Sequence, residues 1–72
     1  MSELRTILAD NLRRLRTAKG LSQEDLAGLA DVDRTYVSLI ERKKNSISLD
    51  KLEQIAIALN VQAYTLIKPE YD

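Results

Sequence analysis

The chain has 72 residues, enough for one domain near the lower limit at which a single apolar core holds a fold unaided. It contains neither Cys nor His, which excludes disulfides and thiolate metal sites and removes the usual zinc nitrogen ligand and the usual general base. Lys plus Arg and Asp plus Glu number 11 each, so any attraction for a polyanion must come from local grouping and not from the formal net charge of zero.

Leu4, Leu8, Leu12 and Leu15, with Ile7 beside them, recur at helical spacing, and Gly20 after Lys19 offers a left-handed cap. A first helix is predicted over about 3–19. Ser22 is an N-cap residue type, followed by Glu24 and Asp25, whose charges suit the positive end of a helix. Leu26, Leu29 and Ala30 give the second helix an apolar face before Asp31-Val32-Asp33 interrupts it. Asp33 then caps a third helix over about 34–42, with Val37 and Ile40 on its inner side. Lys43-Lys44-Asn45-Ser46 reads as a loop. Ser48 caps a fourth helix over 49–59 with the buried stripe Leu49, Leu52, Ile55, Ala56 and Leu59, and Asn60 closes it. Residues 62–67 form a last short helix before Pro69 ends regular structure. Period-two alternation is missing throughout. The expected fold class is all-α, a compact bundle of about five short helices forming a single domain over 1–72 with its core at about 3–67.

Two short helices joined by the three residues 31–33 have the geometry of a helix-turn-helix. Val32 would plug the turn into the core, and Ala27 and the small Gly28 would let the helices approach closely. With Val37 and Ile40 inward, Arg34, Thr35, Ser38, Leu39 and Arg42 share the outer side of the third helix. An arginine can make two hydrogen bonds to guanine, and the Thr35 methyl or Leu39 can pack on a thymine methyl. Ser38 can reach a base or a phosphate. The first residues of such a helix sit deepest in a major groove, so Arg34 and Thr35 are the leading base readers. Between 34 and 44 stand Arg34, Arg42, Lys43 and Lys44 against the single acid Glu41. Tyr36 either covers the core edge or meets the sugar–phosphate backbone, and the sequence leaves both open.

The run Lys19-Gly20-Leu21-Ser22-Gln23-Glu24-Asp25-Leu26-Ala27, followed by Val32-Asp33-Arg34-Thr35-Tyr36-Val37-Ser38-Leu39-Ile40-Glu41-Arg42, resembles the phage Cro and repressor class of helix-turn-helix domains. Within that class, Asp33-Arg34-Thr35-Tyr36-Val37-Ser38 is most similar to the controller proteins of restriction–modification systems, small homodimeric regulators that time nuclease expression. The resemblance spans roughly 11–66. It implies that Gln23 contacts a phosphate with Ser22 capping beside it, and that Arg34 and Thr35 contact bases. Ser38 and Leu39 would face the groove, while Lys43, Lys44 and Asn45 would lie along the backbone; Arg42, on the outer side of the helix, is a further backbone candidate. Leu39 and Asn45 depart from the polar and the basic residue often found at those positions. The resemblance also implies an internal pair between Arg16 and Glu41, which assigns Arg16 to structure.

Ile57 falls off the buried stripe of the fourth helix. With Val61, Tyr64, Leu66 and Ile67 it could form an apolar patch for a homodimer, placing two recognition helices about 34 Å apart on a two-fold symmetric operator of double-stranded DNA. RNA polymerase is a further candidate partner for such a regulator. The function expected is sequence-specific transcriptional regulation. Two alternatives stay open: the antitoxin of a toxin–antitoxin pair, and a helical protein–protein interaction module, to which Glu24 and Asp25 give some weight. The sequence offers no catalytic constellation, cofactor motif, metal-ligand cluster or small-molecule site. No apolar run approaches the roughly 20 residues needed to cross a bilayer, and no signal pattern opens the chain, so a cytoplasmic location in a bacterium or phage is expected.

Overall fold

The structure is a computed structural model that describes residues 3–69. Its five helices are α1 (Glu3–Ala18), α2 (Gln23–Ala30), α3 (Arg34–Glu41), α4 (Leu49–Leu59) and α5 (Ala63–Ile67), with no strand among the described residues. Three helices start on short polar side chains that satisfy otherwise unpaired N–H groups. Ser22 Oγ accepts the Asp25 N–H at 2.9 Å while the Asp25 carboxylate accepts the Ser22 N–H at 3.1 Å, a reciprocal capping box. Asp33 Oδ1 accepts the Thr35 N–H at 2.9 Å, and Ser48 Oγ accepts the Lys51 N–H at 3.1 Å.

The first four helices end alike. A residue in the left-handed region bonds back to one carbonyl, and the next N–H bonds to the carbonyl before that, a Schellman closure. The left-handed residues are Gly20 (φ 71°), Asp31 (φ 60°), Lys43 (φ 63°) and Asn60 (φ 60°). The outer bonds run from Leu21 N–H to Arg16 O, Val32 N–H to Ala27 O, Lys44 N–H to Leu39 O and Val61 N–H to Ala56 O, at 2.9–3.0 Å. These ends define the elements to within a residue or so of expectation: α1 stops at Ala18, α3 at Glu41, and Gln62 precedes α5.

The core joins all five helices. Leu8 and Leu12 of α1 meet Leu26, Ala27 and Ala30 of α2, Val37 and Ile40 of α3, Leu52, Ile55, Ala56 and Leu59 of α4, and Leu66 of α5. Val32 packs against this cluster from the turn between α2 and α3. Burial of such side chains, at about 1.5–3 kcal/mol each, is the main source of stability. Two polar links pin the periphery. Asn11 is buried on α1, and its amide donates to the carbonyls of Thr65, Leu66 and Lys68 at 3.2, 2.9 and 2.8 Å, holding the C-terminal end of α5. Gln54 Nε2 donates to Ala30 O at 3.0 Å, holding the end of α2 against α4.

Several sequence expectations are corrected here. Leu4, Leu29 and Leu49 are 59%, 63% and 79% exposed, although their spacing placed them on buried stripes. Leu4 and Leu49, in the first turns of α1 and α4, line an open groove, and Leu29 lines a shallow hollow on α2 beside Leu21 and Gly28. Leu66, expected at a dimer surface, is fully buried in the core because α5 folds back over α1 and α4. Gly28 is not a point of close helix approach, since a Cβ built there meets nothing within 4 Å. The buried Ala27 is the small residue at the contact.

Candidate nucleic-acid interface

The orientation of α3 follows from its two sides. Val37 and Ile40 are 0% and 1% exposed, so the helix is anchored by them and its opposite side is turned to solvent. Arg34 and Thr35, in the first turn, are exposed, and so is Arg42 at the end. Ser38 and Leu39 between them are half-buried and still present surface. Asp33 caps the helix through the Thr35 backbone N–H, which leaves the Thr35 side chain to face outward. Arg34, Arg42, Lys43 and Lys44 have no ion-pair or hydrogen-bond partner for their side chains among the described residues.

Glu41 is the one acid in this stretch, and it does not offset those cations, because it is buried at 4% exposure and engaged inside the fold. Arg16 Nε donates to Glu41 Oε2 at 2.7 Å and Arg16 Nη2 to Oε1 at 3.0 Å, a two-pronged ion pair between α1 and α3. Arg16 Nη1 also donates to Leu21 O at 2.7 Å, tying in the turn before α2. Gln23 Nε2 donates to Glu41 Oε1 at 3.1 Å, and Arg13 Nε approaches the same oxygen at 3.4 Å. Burial pushes the Glu41 carboxyl up, but the hydrogen bonds from Arg16 and Gln23, the Arg16 charge and the Arg13 contact outweigh it and hold it below the usual carboxylate range. The hydrogen bond to Glu41 raises the Arg16 guanidinium above its ordinary value, against the opposing effect of burial.

The remaining candidates divide. Ser22 is exposed, and its Oγ accepts a backbone N–H as a cap, so its hydroxyl proton is available to an outside acceptor. Gln23 is half-buried and gives one amide proton to Glu41, keeping a second. Tyr36 packs on the core edge, where the nearby Ser48 backbone favours the ionised phenol. Burial nevertheless leaves its pKa above the ordinary value. Asn45 is half-buried and lines an apolar groove with Leu4, Leu8, Ile47, Leu49, Leu52 and Ile67, unlike the exposed Lys43 and Lys44.

Of the expected dimer residues, Ile57 and Tyr64 are 77% and 62% exposed, and Ile57 shares a shallow hollow with the half-buried Val61. Ile67 belongs to the separate groove beside Leu4 and Leu49. The patch is therefore smaller than the sequence suggested. The links from Gln23 and Arg13 to Glu41, and the hold of Asn11 on α5, had no local signal: the partners stand 18, 28 and at least 54 positions apart.

Comparison with known proteins places this geometry. A family described as helix-turn-helix matches residues 12–66. A hypothetical transcription factor of Neisseria meningitidis serogroup B is 51% identical over 67 residues, covering 93% of this chain, which spans 63% of that protein's length. The control protein C.BamHI of Bacillus amyloliquefaciens is 40% identical over 67 residues, covering 92% of this chain and 83% of the relative. Among solved structures, the restriction–modification controller protein C.Esp1396I, a tetramer in complex with its natural 35 base-pair operator, superposes with a TM-score of 0.84. It has 35% identity and covers 92% of this chain and 87% of that one.

Proposed function

The chain belongs to the helix-turn-helix family, and from that premise we propose that it is a sequence-specific, DNA-binding transcriptional regulator, a homodimeric restriction–modification controller acting on a two-fold symmetric operator in the cytoplasm. The observation that carries the reading is the outer side of α3, where the exposed Arg34 and Thr35 stand in the first turn with no competing partner for the guanidinium. In this reading α3 enters a groove about 12 Å wide, and Arg34, Thr35, Ser38 and Leu39 meet base edges. Ser22 and Gln23 give their remaining protons to phosphate oxygens, and the Tyr36 hydroxyl gives its own. Arg42, Lys43 and Lys44 supply the charge that makes binding salt-dependent, with Asn45 at the margin. Arg16 and Glu41 set the angle of α3 from within. Ile57, Val61 and Tyr64 form the centre of the dimer contact.

A nuclease footprint on the duplex upstream of the protein's own reading frame tests this. Two protected half-sites with centres about one helical turn apart, roughly 34 Å, are expected. No protection on that duplex at low salt would overturn the reading.

A further inference from the structure

One of the four Schellman closures differs from the other three in two respects. At the ends of α1, α2 and α4 the left-handed position holds Gly20, Asp31 or Asn60, the residue types that tolerate it. The residue that follows is Leu21, Val32 or Val61, and each packs against the core, completing the apolar contact that normally accompanies this motif. The end of α3 has neither feature. Lys43 occupies the left-handed position at φ 63° and Lys44 follows it. The closing hydrogen bonds are formed, from Lys43 N–H to Ile40 O and from Lys44 N–H to Leu39 O, both at 2.9 Å. Both side chains are exposed and have no partner among the described residues. A long side chain with a Cβ is disfavoured in that conformation, and no hydrogen bond or ion pair of either side chain among the described residues offsets it.

We infer that the end of α3 is built for a polyanion at the expense of stability. Lys43 holds a strained backbone conformation because that conformation projects its ammonium, beside that of Lys44, at the end of the helix that meets DNA, where the ligand is a backbone phosphate. The inference rests on the DNA-binding reading and adds that Lys43 is a point where binding and stability oppose each other. A cation there neutralises phosphate charge and contributes to affinity without reading sequence. Glycine or asparagine there would relax the helix end and remove that charge.

The test compares wild type with Lys43→Gly, Lys43→Asn and Lys43→Arg, by thermal unfolding and by titration of an operator duplex across a salt series. Lys43→Gly is expected to raise Tm by about 3–6 °C, with a smaller rise for Lys43→Asn and none for Lys43→Arg. On DNA, Lys43→Gly and Lys43→Asn are expected to bind about tenfold more weakly per copy near 0.1 M salt. The slope of log K against log salt should be shallower by about 0.9 per copy, and Lys43→Arg should keep both affinity and slope. The salt slope separates lost charge from a loosened loop, which would weaken binding at an unchanged slope. A Lys43→Gly protein no more stable than wild type, or a more stable one that binds with wild-type affinity and slope, overturns the inference while leaving DNA binding intact. A wild-type protein that binds no duplex overturns the underlying reading instead.

Discussion

The Arg16 guanidinium grips the Glu41 carboxylate with two hydrogen bonds of 2.7 and 3.0 Å, joining α1 to the last residue of α3. The Glu41 side chain is wholly inaccessible and that of Arg16 is 12% exposed, so removing either strands a charge in a poorly solvated place. Glu41→Ala or Arg16→Ala is expected to lower stability by about 3 kcal/mol in urea unfolding. Replacing both at once with apolar residues, as in Arg16→Met with Glu41→Leu, should lose less than the sum of the single changes. Strict additivity would show that the pair contributes no coupling.

The same carboxylate gives the fold an acid limit. Its pKa in the folded protein lies below its ordinary value of 4.5, so its contribution is complete above that value and disappears as pH falls through the lower, folded one. Asp25, held down above all by the hydrogen bond its carboxylate accepts from the Ser22 backbone N–H, acts in the same direction from an exposed site. Stability should therefore fall on acidification below about pH 4.5, and the gap between wild type and Glu41→Gln should narrow over that range. Chemical unfolding at stepped pH values reads this directly, and a gap that is constant with pH would contradict it.

Much of this arrangement was legible in the sequence, and the parts that were not have a common cause. Short-range chemistry announced itself: Ser22, Asp33 and Ser48 are caps, Gly20 and Asn60 are left-handed, and Val37 and Ile40 are buried. Helical periodicity tells which side of a helix is apolar but not how far the neighbouring helices cover it. Leu4, Leu29 and Leu49 share a periodicity with core residues and still face water. Leu66 is the opposite case, fully buried although its five-residue helix is too short to show a stripe. Within the site, the outward set Arg34, Thr35 and Arg42 followed from Val37 and Ile40, whereas the bond from Gln23 to Glu41 depends on packing among three helices.

The exposed apolar residues of α4 and α5 give a prediction about assembly. Ile57 is 77% exposed and outside the core, so Ile57→Asp should leave the protomer's stability within about 0.5 kcal/mol. It should convert the proposed dimer to monomer in sedimentation equilibrium and weaken operator binding, since two linked recognition helices reinforce each other. An Ile57→Asp protein that sediments as wild type would move the dimer contact elsewhere.

We propose that the outer side of α3 reads base edges, and Arg34 is its sharpest probe because it is exposed and has no internal partner to lose. The most direct measurement is the affinity of wild type and Arg34→Ala for the footprinted duplex and for duplexes substituted one base pair at a time. A loss of about 1–3 kcal/mol on the parent duplex is predicted, with discrimination relaxed at one position of each half-site and folding stability unchanged. Equal affinity of the two proteins for the parent duplex, with the same base preferences, would show that Arg34 reads no base.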